Sequence, residues 1–146
     1  MLEIRHMRTL VALRETGSLV EAADRVYLTQ SALSHQVKEL EGRLGTELFV
    51  RKSRPLRFSE AGKRLLRLSQ EVLERIELAE RDERVLELWL GGMSIYRIAK
   101  VVGMDRSNVY RTIRLAARMR GIEGAPSMSP AEIKKALREQ LSGEPA

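Results

Sequence analysis

A stretch from Ser18 to Gly45 recurs from Ser94 to Gly121, shifted by 76 residues and kept in residue type more than in letters. Ser18 matches Ser94, Leu19 matches Ile95, Ala23 matches Ala99 and Val26 matches Val102. Leu28 then matches Met104, Thr29 matches Asp105, Leu33 matches Val109, Val37 matches Ile113, and Gly45 matches Gly121. From Ala23 and Ala99 onward, both copies carry small or apolar residues at gaps of 3, 2, 5 and 4. Two short helices that cross through a tight turn need that spacing, with a small alanine where their backbones approach. The expected fold class is therefore mainly α, with two helix-turn-helix pairs on one chain.

Charge bears on what such pairs touch. The chain has 146 residues, a net charge of +6 and a sequence pI near 10.1, which favours a polyanionic partner or serves solubility alone. The excess is local: residues 81–121 hold nine Lys or Arg against four Asp or Glu, whereas residues 1–80 hold fourteen against twelve. In the first half, any DNA-facing surface must arise from arrangement rather than excess. Cysteine is absent, which excludes disulfides, thiolate metal sites and cysteine nucleophiles. Glu3, Arg5 and His6 open the chain without the apolar core of a secretory signal, and no apolar run approaches a membrane span. On these grounds the chain reads as cytoplasmic, with no membrane partner.

Apolar periodicity places the elements. Ile4, Met7, Leu10, Val11 and Leu13 predict a helix over 3–16, closed by Gly17. Ser18 and Glu21 form a capping-box pattern for a helix to about Val26. Thr29 caps a third, whose stripe is Leu33, Val37, Leu40 and Leu44 and whose stop is Gly45. LFVRKSRPLRF, 48–58, reads as a small hairpin turning through Ser53 to Pro55, and a helix-turn-helix followed by such a hairpin is a winged helix. Ser59 starts a long helix in which Leu65, Leu68, Val72, Ile76 and Ala79 follow a two-helix packing seam. That seam serves dimerisation or folds back onto its own winged domain. ERDER at 80–84 has no apolar residue and suits a domain boundary, although nothing in it stops the helix before Leu90. The expected organisation is a winged helix-turn-helix domain over 1–58, a linker or dimerisation helix over 59–80, and a second three-helix helix-turn-helix domain over 81–121. Residues 122–146 follow as a linker and a short amphipathic helix opened by Ser129, Pro130 and Glu132.

GSLVEAA (17–23), TQSALSHQVKELEGRLG (29–45), LFVRK (48–52) and FSEAGKRLL (58–66) together resemble the DNA-binding domain and linker helix of LysR-type transcriptional regulators, most of all the methionine-biosynthesis branch. The resemblance covers about residues 1–80. It implies base contacts from the third helix and pairing through the linker helix. Regulators of that type continue into a domain that binds a small co-inducer; the residues after 80 look different, so no small-molecule effector domain is expected here. GMSIYRIAKVVGMDRSNVYRTI, 92–113, resembles the homeodomain-like units of resolvases, invertases and sigma-like factors, more generically.

With Leu33 and Val37 inward, Gln30, Ser31, Ser34, His35 and Lys38 face outward. Gln30 can pair with adenine N6 and N7, Ser34 and His35 can reach base edges or phosphate, and Lys38 suits phosphate. Arg51, Lys52 and Arg54 at the hairpin tip suit phosphate or a narrow minor groove, or form a merely solvated turn. In the second copy Val109 and Ile113 turn inward, leaving Arg106, Ser107, Asn108, Arg111 and Arg114 to read: Asn108 suits adenine and Arg111 guanine. His35 has only His6 as a possible histidine partner, on another helix, so no metal or other cofactor is expected. The function expected is a sequence-specific transcription regulator with two readers per chain, binding double-stranded DNA as a homodimer through Leu65, Leu68, Val72 and Ile76. The alternative is an interaction protein that pairs with a LysR-type partner and docks protein through its second unit. Catalysis is not expected: no Gly-rich phosphate loop and no histidine–carboxylate constellation is present.

Overall fold

The computed structural model describes residues 1–50 and 52–143, and their secondary structure is helical. In chain order the helices are α1 (Ile4–Thr16), α2 (Leu19–Arg25), α3 (Gln30–Leu44), α4 (Glu60–Leu90), α5 (Ile95–Val102), α6 (Arg106–Met119) and α7 (Pro130–Ser142). The chain forms two compact units, Met1–Ile76 and Glu77–Ala146. α4 runs unbroken through that boundary, because the charged run 80–84 contains neither glycine nor proline to stop a helix. No helix among the described residues is long and apolar enough to cross a membrane.

In the first unit α1, α2 and α3 enclose Ala12, Leu13, Ala22, Ala23 and Leu33, while Leu10, Leu40, Leu48 and Leu66 form an adjoining cluster. Each such leucine, taken out of water, contributes about 1.5–3 kcal/mol. α1 starts in a way its sequence does not advertise. Glu3 is the N-cap; its carbonyl accepts from the His6 N–H at 3.0 Å, and its own backbone N–H donates to His6 Nδ1 at 3.0 Å. His6 is also buried, with Arg43 and Glu39 of α3 among the charges that act on it. Burial lowers its pKa from the ordinary 6.5, opposed by Glu3 and reinforced by Arg5 and Arg43. At α2 the expected capping box is half made. Ser18 accepts from the Glu21 N–H at 3.4 Å, but the Ser18 N–H goes to Thr16 Oγ1 at 3.3 Å instead of to the Glu21 side chain. Thr16, the last residue of α1 and two residues before Ser18, takes that donor.

The expected β-hairpin wing is also corrected. Among the described residues there is no strand, only a single antiparallel bridge between Phe49 and Phe58, whose rings lie 4.6 Å apart. Val50 N–H donates to Arg57 O at 2.8 Å and Ser59 N–H to Leu48 O at 2.9 Å; beyond that the ladder stops. The physical reason is diversion of donors. Leu56 N–H donates to Gly17 O at 3.1 Å, Arg57 N–H donates to Ser53 Oγ at 3.0 Å, and Pro55 has no N–H. What remains is a bridged loop held between the end of α1 and the start of α4. At that start Gly62 is required for room: a Cβ there would lie 2.0 Å from Leu48 O.

The second unit has one core of Val85, Leu86 and Trp89 from α4, Ile98 and Ala99 from α5, Val109, Ile113, Ala116 and Ala117 from α6, Ala125, and Ile133 and Leu137 from α7. α7 makes its full capping box, Ser129 N–H to Glu132 Oε2 at 2.7 Å and Glu132 N–H to Ser129 Oγ at 3.4 Å. It is pinned further by Arg138, which donates to Leu90 O at 2.7 Å, and by Gln140, which donates to Arg120 O at 2.8 Å. Lys134 lies over the Trp89 ring, 5.3 Å from its centroid. α7 is therefore part of this core.

Candidate nucleic-acid interface

Thr29 caps α3 by accepting from the Ala32 N–H at 3.2 Å, which directs the first turn outward, and Leu33 and Leu40 bury the opposite face. Gln30, Ser31, His35 and Lys38 are exposed, and Ser34 is half-buried. The Ser31 hydroxyl lies 3.2 Å from Thr29 Oγ1, so it is shared with the cap. Two contacts that sequence reasoning missed fix this helix. Thr9 of α1 donates to Gln36 Oε1 at 2.7 Å, and Glu41 Oε1 accepts from the Leu48 N–H at 2.6 Å, tying α3 to the bridged loop. An amphipathic stripe marks which face of α3 is buried but carries no sign of such polar ties between elements.

The fold brings part of the predicted set together. A groove of about 560 Å³ has Leu19, Val37, Phe49, Val50 and Leu56 among its walls, and Ser34 and Lys38 of α3 face Lys52 of the loop across it. Glu41 and Glu47 line it too. Its walls are thus largely apolar, with two lysines and two glutamates among the lining side chains. Lys52 holds a left-handed backbone conformation, φ 57°, which turns the tip of the loop, and Arg54 beyond it is exposed. Arg51 lies outside the described residues.

α6 repeats the plan with one change of chemistry. Asp105 is the N-cap, accepting from the Asn108 N–H at 2.9 Å, and its other oxygen accepts from Asn108 Nδ2 at 2.5 Å. Asn108 is thus half-buried and engaged, whereas Arg106, Ser107, Arg111 and Arg114 are exposed. The Asp105 carboxylate offsets the positive end of α6, and the exposed Arg111, Arg114 and Arg118 carry positive charge further along the helix. His35 and His6 are on different helices, and His6 is occupied as a cap; no group of three or more metal-ligating side chains occurs among the described residues.

Residues 4–63 match the family described as bacterial regulatory helix-turn-helix protein, lysR family. An uncharacterized HTH-type transcriptional regulator from the ibpB–leuC intergenic region of Azotobacter vinelandii is 36% identical over 105 residues, which is 72% of this chain and 73% of that protein. The chain belongs to the lysR family of regulatory helix-turn-helix proteins. Within it the first unit is MetR-like: the HTH-type transcriptional regulator MetR of Haemophilus influenzae is 62% identical over 81 residues. That match spans 56% of this chain and 26% of the relative, so the chain covers about a quarter of the length of the MetR proteins it matches. Among solved structures, the BenM DNA-binding domain bound to catB site 1 DNA matches 59% of this chain and 94% of its own, with a TM-score of 0.54 and 31% identity. The CbnR DNA-binding domain in complex with DNA matches with a TM-score of 0.53 at 27% identity, over 59% of this chain and 99% of that one. The relatives are transcriptional regulators, not enzymes.

Proposed function

We propose that this chain is a sequence-specific DNA-binding transcription regulator acting in the cytoplasm. The observation that carries the reading is the groove in which Ser34 and Lys38 of α3 face Lys52 of the bridged loop, in a unit whose relatives include domains solved on DNA. Gln30, Ser31, Ser34 and His35 read base edges, while Lys38, Lys52, Arg54 and Arg51 hold phosphates. α4 pairs two chains through Leu65, Leu68, Val72 and Ile76. Leu68 is 48% exposed within the chain and Val72 and Ile76 are half-exposed, whereas Leu65 also packs on its own core. Pairing sets two half-sites about one helical turn, or a multiple, apart.

The second reader is α5–α6, with Arg106, Ser107, Asn108, Arg111 and Arg114 facing DNA. It is supported by the 76-residue echo, which extends to caps: Ser18 and Ser94 cap α2 and α5, Thr29 and Asp105 cap α3 and α6. A tethered reader raises apparent affinity through effective concentration. Selection of duplexes from a random pool, then footprinting of the full chain and of Gln30→Ala and Arg111→Ala variants, tests both levels. Loss of the central inverted repeat in Gln30→Ala, and of flanking protection in Arg111→Ala, is expected. Flanking protection that persists in Arg111→Ala overturns the second reader and turns attention to protein docking by α5–α6.

A further inference from the structure

The turn between α2 and α3 contains a residue that packing does not account for. Tyr27 is 95% exposed and sits at φ 58°, in the left-handed region that side chains other than glycine and asparagine seldom enter. Its side chain has no hydrogen-bond or ring partner among the described residues. The second unit shows what the backbone alone requires there. Its counterpart, 76 residues on, is Gly103 at φ 68°, in a turn closed by the same bond: Met104 N–H to Ala99 O at 3.0 Å, against Leu28 N–H to Ala23 O at 2.9 Å. A Cβ at Gly103 would meet nothing within 4 Å, so that glycine serves the dihedral and not the space. One chain thus solves one turn twice, once with the unstrained residue and once with a strained, solvent-exposed phenol. Strain retained without a packing return is a signature of use at a surface.

We infer that Tyr27 is an additional DNA-contacting residue, which lays its ring along a deoxyribose and donates its hydroxyl to a phosphate oxygen flanking the bases read by α3. Its place supports this: Tyr27 lies two residues before the Thr29 cap and three before the exposed Gln30, which opens α3. A phenol fits that role, being apolar on its faces and a donor at its tip. The inference rests on the proposed reading of DNA by the first unit.

The experiment measures binding of the full chain to its selected duplex across salt concentrations, for wild type, Tyr27→Gly, Tyr27→Phe and Lys38→Ala, with thermal melting of each variant. Tyr27→Gly relieves the backbone, so it melts at or above the wild-type temperature while binding roughly three- to ten-fold more weakly. Because tyrosine releases no counterion, the slope of log K against log salt stays unchanged, whereas Lys38→Ala lowers it by about 0.9. Tyr27→Phe falls between wild type and Tyr27→Gly, separating hydroxyl from ring. Tyr27→Gly binding equal to wild type overturns this inference alone, and points to a partner other than DNA or to none. A wild type that selects no duplex overturns the underlying reading and this inference with it.

Discussion

α2–α3 and α5–α6 share their caps, crossing alanines and buried anchors, yet they present different chemistry at the end of the helix expected to meet DNA. Leu33 and Val109 are both fully buried, and Gly45 and Gly121 both adopt positive φ at the far end of the second helix. At the near end, Thr29 leaves the N-terminus of α3 positive, while Asp105 neutralises that of α6 and engages Asn108. Their supports differ as well. The first pair is buttressed by α1 and a bridged loop with Lys52 and Arg54, the second by α4 and α7, with no equivalent basic loop near it in sequence. The scaffold of a helix-turn-helix and its reading chemistry are therefore separable. The scaffold repeats because a few buried residues and caps define it. The surface diverges because nothing in packing constrains it.

The largest test of the shared scaffold is Leu33→Ala, expected to cost about 2–5 kcal/mol in chemical denaturation. Val109→Ala removes a smaller side chain from the equivalent place and should cost less, about 1–3 kcal/mol by the same mechanism. A near-zero loss at Val109 would mean the second pair is not held by the anchor its sequence shares with the first. Next in size is Gln30→Ala, which should reduce discrimination at one adenine by about 1–3 kcal/mol in competition binding with single-base variants of the selected duplex. Uniform weakening over all bases would show Gln30 holding phosphate rather than reading.

Asp105→Thr gives the second pair the cap of the first. Stability should change by under about 1 kcal/mol, since threonine also caps, while affinity for DNA rises as Asn108 is released and the α6 terminus regains its positive end. Unchanged affinity in a binding titration would remove the electrostatic account of the difference between the pairs. The smallest effect concerns pH. Burial lowers the folded pKa of His6, so the unfolded chain binds the proton more readily. The contribution is fully present above the unfolded value, about 6.5, and is lost as pH falls through it towards the folded value. His6→Gln should flatten the pH dependence of stability below about 6.5. If the slope persists in that variant, the acid sensitivity belongs elsewhere.

Much of the interface was readable in one dimension. Thr29, Leu33 and Gly45 mark start, inner face and stop of α3, so the outward positions Gln30, His35 and Lys38 follow from helical geometry. The wing is not legible in this way: LFVRK suits a strand, but the N–H donors of Leu56 and Arg57 go to acceptors, Gly17 O and Ser53 Oγ, that no local pattern announces. Asn108 looked free to read a base because its tie to Asp105 lies in side-chain geometry. Tyr27 carries no signal in the sequence, since an exposed aromatic in a turn becomes informative only once its dihedral is known.

By itself, then, the sequence determined the helices, their caps and the inner faces of both repeated pairs, since each depends on residues within a turn or two of one another. Tertiary structure alone decided the burial of His6, the close approach of Gly62 to Leu48, the joining of α3 to the loop through Glu41, and the seating of α7 on the core around Ile133. Those contacts join residues distant along the chain, and their free energy depends on which donors, cavities and charges the rest of the fold brings within reach.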